Sequence, residues 1–162
     1  MADTATDSEP TGPDRTSPMV TNRIIALAFN GDRERYDQFM SALHEVIPRN
    51  VQVILRGSAV TGKRWKDGSP FDADGPGTSD MDLTLVGGDM LKLFESFYIP
   101  GLHSVPLSEP HPDASPTFVP LRRALCKLAG RPVNIQATSN LAQFARDVLF
   151  EQPYCVLIEK SE

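Results

Sequence analysis

Ser79-Asp80-Met81-Asp82-Leu83-Thr84-Leu85-Val86 reads as a β-strand. Successive side chains of a strand point to opposite faces. Met81, Leu83 and Leu85 therefore share one face, and Asp80, Asp82 and Thr84 share the other. The apolar face demands a core. Two carboxylates one residue apart lie about 6–7 Å apart along the chain, so their oxygens can converge on one divalent cation. Some twenty residues upstream, a second apolar run, Val51-Gln52-Val53-Ile54-Leu55, ends in Arg56-Gly57-Ser58. One strand running into Gly-Ser and the next carrying Asp-x-Asp predict a device that holds a nucleoside triphosphate on magnesium.

The chain has 162 residues, enough for one domain around one core. Hydrophobic residues make up 40% and charged residues 23%, an ordinary balance for a globular protein. A net charge of −5 argues against a general nucleic-acid coat or a binder of anionic membranes. No extended nucleic-acid surface and no membrane partner are expected. No apolar run approaches the roughly 20 residues a membrane span requires. The first ten residues lack the basic start and apolar segment of a signal peptide. A cytoplasmic location is the resulting expectation. Cys126 and Cys155 lack metal-type spacing and read as buried, reduced thiols.

Residues 1–21, rich in Asp, Thr, Ser and Pro, cannot bury enough apolar surface to offset ordering, and predict a disordered tail before a single domain over 22–162. Arg23–Phe29 is apolar but ambiguous between strand and helix. Tyr36, Phe39, Met40, Leu43, Val46 and Ile47 recur at helical spacing and predict a helix over Asp32–Ile47, stopped by Pro48 and Asn50. The first core strand falls at Val51–Arg56 and the second at Met81–Val86. Residues 59–79 form a long, glycine-rich connection of the kind that is often functional. Gly87-Gly88-Asp89 can cap a helix over Met90–Tyr98. An irregular, proline-dense stretch runs over Pro100–Pro116, with His103 and His111 expected at the surface. A helix carrying Leu121, Leu125 and Leu128 ends at Gly130. Val133–Ala137 reads as a strand. Thr138 or Ser139 caps a last helix, and Tyr154–Ile158 closes the fold. The expected class is α/β or α+β: a mixed sheet of about four to five strands with helices packed on it.

Transferring a nucleotidyl group means attacking the α-phosphate of a triphosphate and expelling pyrophosphate. Negative charge gathers on the attacking and leaving oxygens, and metal ions about 3.5–4 Å apart can clamp both. Magnesium favours hard oxygen ligands, which makes Asp80 and Asp82 the natural donors. Gly57 lets the backbone approach phosphate oxygens, where amides opening a short helix and the Ser58 hydroxyl can donate. Lys63, Arg64 and Lys66 lie in the loop leaving that site, placed to meet the β- and γ-phosphates or an anionic acceptor. Trp65 among them offers a stacking surface. The same residues also describe a solvated loop around a partly buried tryptophan.

Leu55, Gly57-Ser58, Asp80-Met81-Asp82 and Leu83 together resemble the signature of the DNA polymerase beta-like nucleotidyltransferase superfamily, here as a small single-domain member. The resemblance covers Val51–Val86 well and the rest in element order. It implies a mixed sheet with packed helices, Mg²⁺ (or Mn²⁺ in its place) at Asp80 and Asp82, and an NTP, ATP among them, as donor. It also implies a metal-dependent transferase passing a nucleoside monophosphate to an acceptor, with Asp80 and Asp82 as catalytic ligands. The acceptor stays open between a small molecule, a protein and RNA.

Two departures stand out. The spacer from Gly57 to Asp80 is longer than in minimal members. The third carboxylate that the family often places on a later strand is Asn134 at the best matching position, and an amide is no general base. Another residue (Asp113 or Glu109) can serve, the acceptor can need no protein base, or the domain can be a catalytically silent nucleotide-binding or protein-interaction module on the same fold. A third alternative is a P-loop NTPase. Gly57-Ser58-Ala59-Val60-Thr61-Gly62-Lys63-Arg64 nearly matches that pattern, but Arg64 stands where the metal-binding hydroxyl belongs.

Overall fold

The computed structural model describes residues 17–150 and 152–161. Among the described residues, six helices, a short 3-10 turn and six strands follow one another along the chain. Helix α1 spans Pro18–Ala28, with the Ser17 hydroxyl accepting from the Val20 amide at 3.3 Å. Pro18–Thr21, expected in the tail, are thus part of a helix, with Val20 fully buried in the core. The expected tail over 1–16 lies outside the described residues. The ambiguous segment Arg23–Phe29 is helical as far as Ala28. Helix α2 spans Arg33–Val46 and is capped by Asp32, whose carboxylate accepts from the Arg35 amide at 3.1 Å.

Strand β1 (Gln52–Arg56) runs into a single helical turn, α3 (Ser58–Thr61), and β2 is Met81–Val86. The helix expected over Met90–Tyr98 shrinks to α4, Gly88–Leu91. Phe97–Ile99 is instead an extended edge strand, β3, paired with β4 (His103–Ser104). Local helical spacing loses here to tertiary pairing: the Glu95 amide bonds to Ala114 O at 2.9 Å, and the Val105 amide to Ser96 O at 2.9 Å. These two short strands raise the sheet from the expected four or five strands to six. Helix α5 (Val119–Ala129) ends at Gly130, which takes the left-handed conformation at φ 66°. Strand β5 extends over Val133–Thr138, one residue past expectation. The Thr138 hydroxyl donates to Leu102 O at 2.9 Å, so the cap of α6 (Leu141–Asp147) passes to Asn140, which accepts from the Gln143 amide at 3.0 Å. Strand β6 spans Tyr154–Ile158.

The sheet order is β3-β4-β5-β2-β1-β6. Among the described residues β2 and β5 alone pair in parallel, which requires a crossover connection, here running through β3, β4 and α5; the other pairings are antiparallel. Val53, Leu55, Leu83, Leu85, Ile135 and Ala137 face Ile24, Phe39, Leu43 and Leu125 of the helices in one buried core. The opposite face is covered only in part, where Ile54 packs against Phe144 and Leu149. His103, expected at the surface, is 3% exposed on β4 and packs edge-on against Phe144. Burial pushes its pKa below the usual imidazole value. Cys155 is buried and Cys126, expected to be buried, is only partly so; neither forms a disulfide among the described residues. Among the described residues, no helix is long and apolar enough to cross a membrane.

Candidate functional site

The register of three strands builds the site. Asp82 pairs across β1–β2 with Arg56 and across β2–β5 with Asn134. Period-two alternation then puts Arg56, Asp82 and Asn134 on one face, with Asp80 just ahead of β2 on the same side. The Asn134 side-chain amide donates to both carboxylates, to Asp80 Oδ2 at 3.0 Å and to Asp82 Oδ1 at 2.9 Å. Both carboxylates thus face one point. Gly57 lies against them: a Cβ built there would sit 3.5 Å from Asp82 Oδ2. The glycine turn after β1 and the acidic pair of β2 therefore share one corner of the sheet.

A cleft of about 390 Å³ opens at this corner, lined by Ser58, Arg64, Asp74, Thr78, Ser79, Asp80 and Asp82. Of the residues picked from sequence, Ser58, Arg64, Asp80 and Asp82 line it directly, Asn134 hydrogen-bonds both Asp80 and Asp82, and Gly57 lies close beside Asp82. Lys63 is not among the lining residues. It is exposed and forms a bridge with Pro70. The long connection is thereby an ordered hairpin, held by Arg64 N to Ser69 O at 2.7 Å and Phe71 N to Gly62 O at 3.0 Å. Trp65 stands 60% exposed near the hairpin tip. At the cleft, Arg64 Nη2 donates to Asp74 Oδ2 at 2.7 Å. The chain after Ser58 makes one turn, ends at Gly62 in the left-handed region and enters this hairpin, so it does not open into the long helix of a P-loop.

Arg131 anchors the backbone just ahead of Asp80, at Ser79. The Arg131 side chain is 2% exposed and donates to Asp72 Oδ1 at 2.8 Å, Asp72 Oδ2 at 3.2 Å and Ser79 O at 3.0 Å. It also donates to Ala28 O and Leu27 O and stacks over Phe71 at 4.6 Å. Asp72 in turn accepts from the Ser79 amide at 2.9 Å and the Gly77 amide at 3.2 Å, and the Ser79 hydroxyl accepts from the Asp72 amide at 2.8 Å. Residues 72–79 are thus tied to the core immediately before Asp80.

Sequence reading passed over four of these residues. Arg131, Asp72 and Asp74 are charged residues with no motif around them, and their ion-pair partners come from 10 to more than 50 positions away. Arg56 reaches across β2 to Gln136 Oε1 at 3.3 Å, and its Nε is buried with no partner among the described residues. Only strand pairing places that cation under Asp82. Of the two carboxylates offered for the third position, Glu109 lines a second cleft that also touches Asp80 and Asn134, whereas Asp113 lines a separate one with Glu95 and His111.

Chemically, the first cleft combines three carboxylates, Asp74, Asp80 and Asp82, with the Arg64 guanidinium. Its own charge opposes a naked triphosphate, so a cation has to accompany such a ligand. Among the described residues, no three His, Cys, Asp or Glu side chains gather as a metal-binding group. A two-carboxylate site fits magnesium that completes its shell with phosphate oxygens and water, as that ion usually does. Gly57 also carries a backbone requirement, because φ 100° with ψ −165° is a conformation open essentially only to glycine. Gly57→Ala is expected to cost about 1–3 kcal/mol in chemical denaturation, because the alanine has to hold that strained backbone or move the turn off Asp82. No protein-family model, curated protein or solved structure matches this chain.

Proposed function

We propose that the protein is a metal-dependent nucleotidyltransferase. The observation that carries this reading is the convergence of the Asp80 and Asp82 carboxylates beside the Gly57-Ser58 turn in one cleft. Asp80 and Asp82 hold Mg²⁺ or Mn²⁺, which when bound offsets charge on the triphosphate and on the oxygens that react. The Gly57-Ser58 turn and the Ser58 hydroxyl hold phosphate oxygens. The first amides of a helical turn lack intrahelical acceptors and are free to do this. Arg64 meets the distal phosphates once it exchanges Asp74 for them. An acceptor hydroxyl attacks the α-phosphorus, the α–β anhydride bond breaks, and pyrophosphate leaves.

One observation favours a second reading, a nucleotide-binding module without catalysis. Asn134 occupies the position from which a carboxylate would assist the acceptor, and its amide is committed to Asp80 and Asp82. Incubating the protein with each α-labelled NTP, Mg²⁺ and a cell extract separates the two. Transfer predicts label on an acceptor with stoichiometric pyrophosphate. The silent module predicts Mg²⁺-dependent binding with neither.

A further inference from the structure

Arg56 and Arg131 both bring a guanidinium into the interior, and they are satisfied very differently. Every N–H of Arg131 has an acceptor: Ala28 O, Leu27 O, Ser79 O and both oxygens of Asp72. Arg56 makes one hydrogen bond, to Gln136 Oε1 at 3.3 Å, which is long for a charged donor. Its Nε is buried with no partner. Asp82 is its Cα partner across β1–β2, yet among the described residues Arg56 forms no ion pair. The Thr84 hydroxyl, one step past Asp82 on the same face, is fully buried and also lacks a partner. Two of the three buried side-chain atoms without a partner among the described residues thus fall beside Asp82.

Native folds fill buried donors, and one left open marks a place that something else fills. We propose that Arg56 donates to a non-bridging oxygen of the α-phosphate of the metal-bound nucleotide. The inference rests on the transferase reading above, which puts that nucleotide at Asp80 and Asp82. Charge is the first argument. A divalent cation offsets Asp80 and Asp82, and a triphosphate then brings negative charge of its own. Arg64, the one cation lining the cleft, goes to the distal phosphates, which leaves the α-phosphate to the metal and to Arg56. Reach is the second argument. Cβ atoms of directly opposed strand residues lie about 4.5–5.5 Å apart, so a side chain as long as that of Arg56 meets a group carried by the metal at Asp82. Fixation is the third. The Gln136 side chain donates from Nε2 to Ser104 O at 2.7 Å, which sets its oxygen toward Arg56 and holds the guanidinium in place before any ligand arrives.

The acceptor oxygen bonds to the α-phosphorus, and the bond to the α–β bridging oxygen breaks with its electron pair leaving on pyrophosphate. Charge grows on the non-bridging oxygens in between, and a cation already in place stabilises it. Arg56 stays protonated throughout, and the hydroxyl proton passes to water.

Calorimetry of the full chain tests this through binding, so no acceptor is needed. The ligands are each Mg²⁺–NTP and the two diastereomers of its α-thio analogue, in which sulfur replaces one or the other non-bridging α-oxygen. The proteins are the wild type, Arg56→Gln and Arg56→Lys. Arg56→Gln is expected to weaken all four NTPs about tenfold, because the α-phosphate is common to them, with Arg56→Lys in between. One diastereomer is expected to lose affinity severalfold in the wild type and much less in Arg56→Gln. Both variants are expected to melt close to the wild type, since one long hydrogen bond is all they give up. Unchanged NTP affinity in Arg56→Gln overturns the inference, as does a loss confined to one base or an equal sulfur effect in both proteins. Failure of both variants to fold overturns it too, because Arg56 would then be a structural anchor like Arg131. If the wild type binds no Mg²⁺–NTP, the transferase reading itself fails; if it binds and Arg56→Gln binds equally, this inference alone does.

Discussion

Asp80→Ala/Asp82→Ala is expected to lower nucleotidyl transfer at least about a thousandfold while the fold persists. A thousandfold loss corresponds to about 4 kcal/mol of transition-state stabilisation, within what a metal ion contributes to phosphoryl chemistry. Stability should not follow activity. Asp80 is exposed and Asp82 half-buried, and the Asn134 amide they accept from is reachable by water once they are gone. Removing two neighbouring carboxylates also relieves their mutual repulsion. The melting temperature of the double variant is therefore expected to stay level or rise. Pyrophosphate release and thermal melting of the same sample check both halves.

Arg131→Ala is expected to do the reverse, costing roughly 3–5 kcal/mol of stability. Breaking a buried ion pair from one side leaves the other charge uncompensated. Here the loss also strands the carbonyls of Leu27, Ala28 and Ser79 and uncovers the Phe71 ring. Denaturant titration measures the cost. Transfer should fall as well, because residues 72–79 lose their anchor just before Asp80. Acid acts on the same latch through Asp72. Its burial works to raise the carboxyl pKa, but hydrogen bonds from Arg131, Ser79 and Gly77 outweigh this and hold it below the ordinary aspartate value of 3.8. A carboxylate depressed in the folded state contributes stability that is present above its unfolded pKa and is lost as pH falls through the folded one. Stability in the wild type should therefore decline below about pH 4 on account of Asp72. In Asp72→Asn that part of the decline should be missing, at a lower stability throughout.

The contrast between these substitutions matches what could be seen before the fold was known. Asp80, Asp82, Gly57 and Ser58 announced themselves because strand periodicity and a glycine turn are local signals, and the strands at Gln52–Arg56, Met81–Val86 and Tyr154–Ile158 fall where apolar runs place them. Helix α2 was legible for the same reason. Long-range pairing was not legible. Phe97–Ile99 looked helical in isolation and became an edge strand through bonds to Ala114 and the 103–105 segment. His103 looked like a loop residue until β4 carried it under Phe144. Arg131 carried no signal at all, since its value lies in Asp72, 59 positions away. Arg64 joined the cleft and Lys63 did not, because the Lys63–Pro70 bridge fixes how the hairpin leaves the glycine turn.

The central claim is that Asp80 and Asp82 grip a divalent cation carrying a nucleotide against the Gly57-Ser58 turn. Isothermal titration of the full chain with each NTP, in Mg²⁺ and then in excess chelator, tests it most directly, with Asp80→Asn/Asp82→Asn as the companion protein. Saturable binding that needs Mg²⁺ and vanishes in the double variant is the predicted result. Binding of equal strength in chelator, or in the double variant with Mg²⁺, would contradict it.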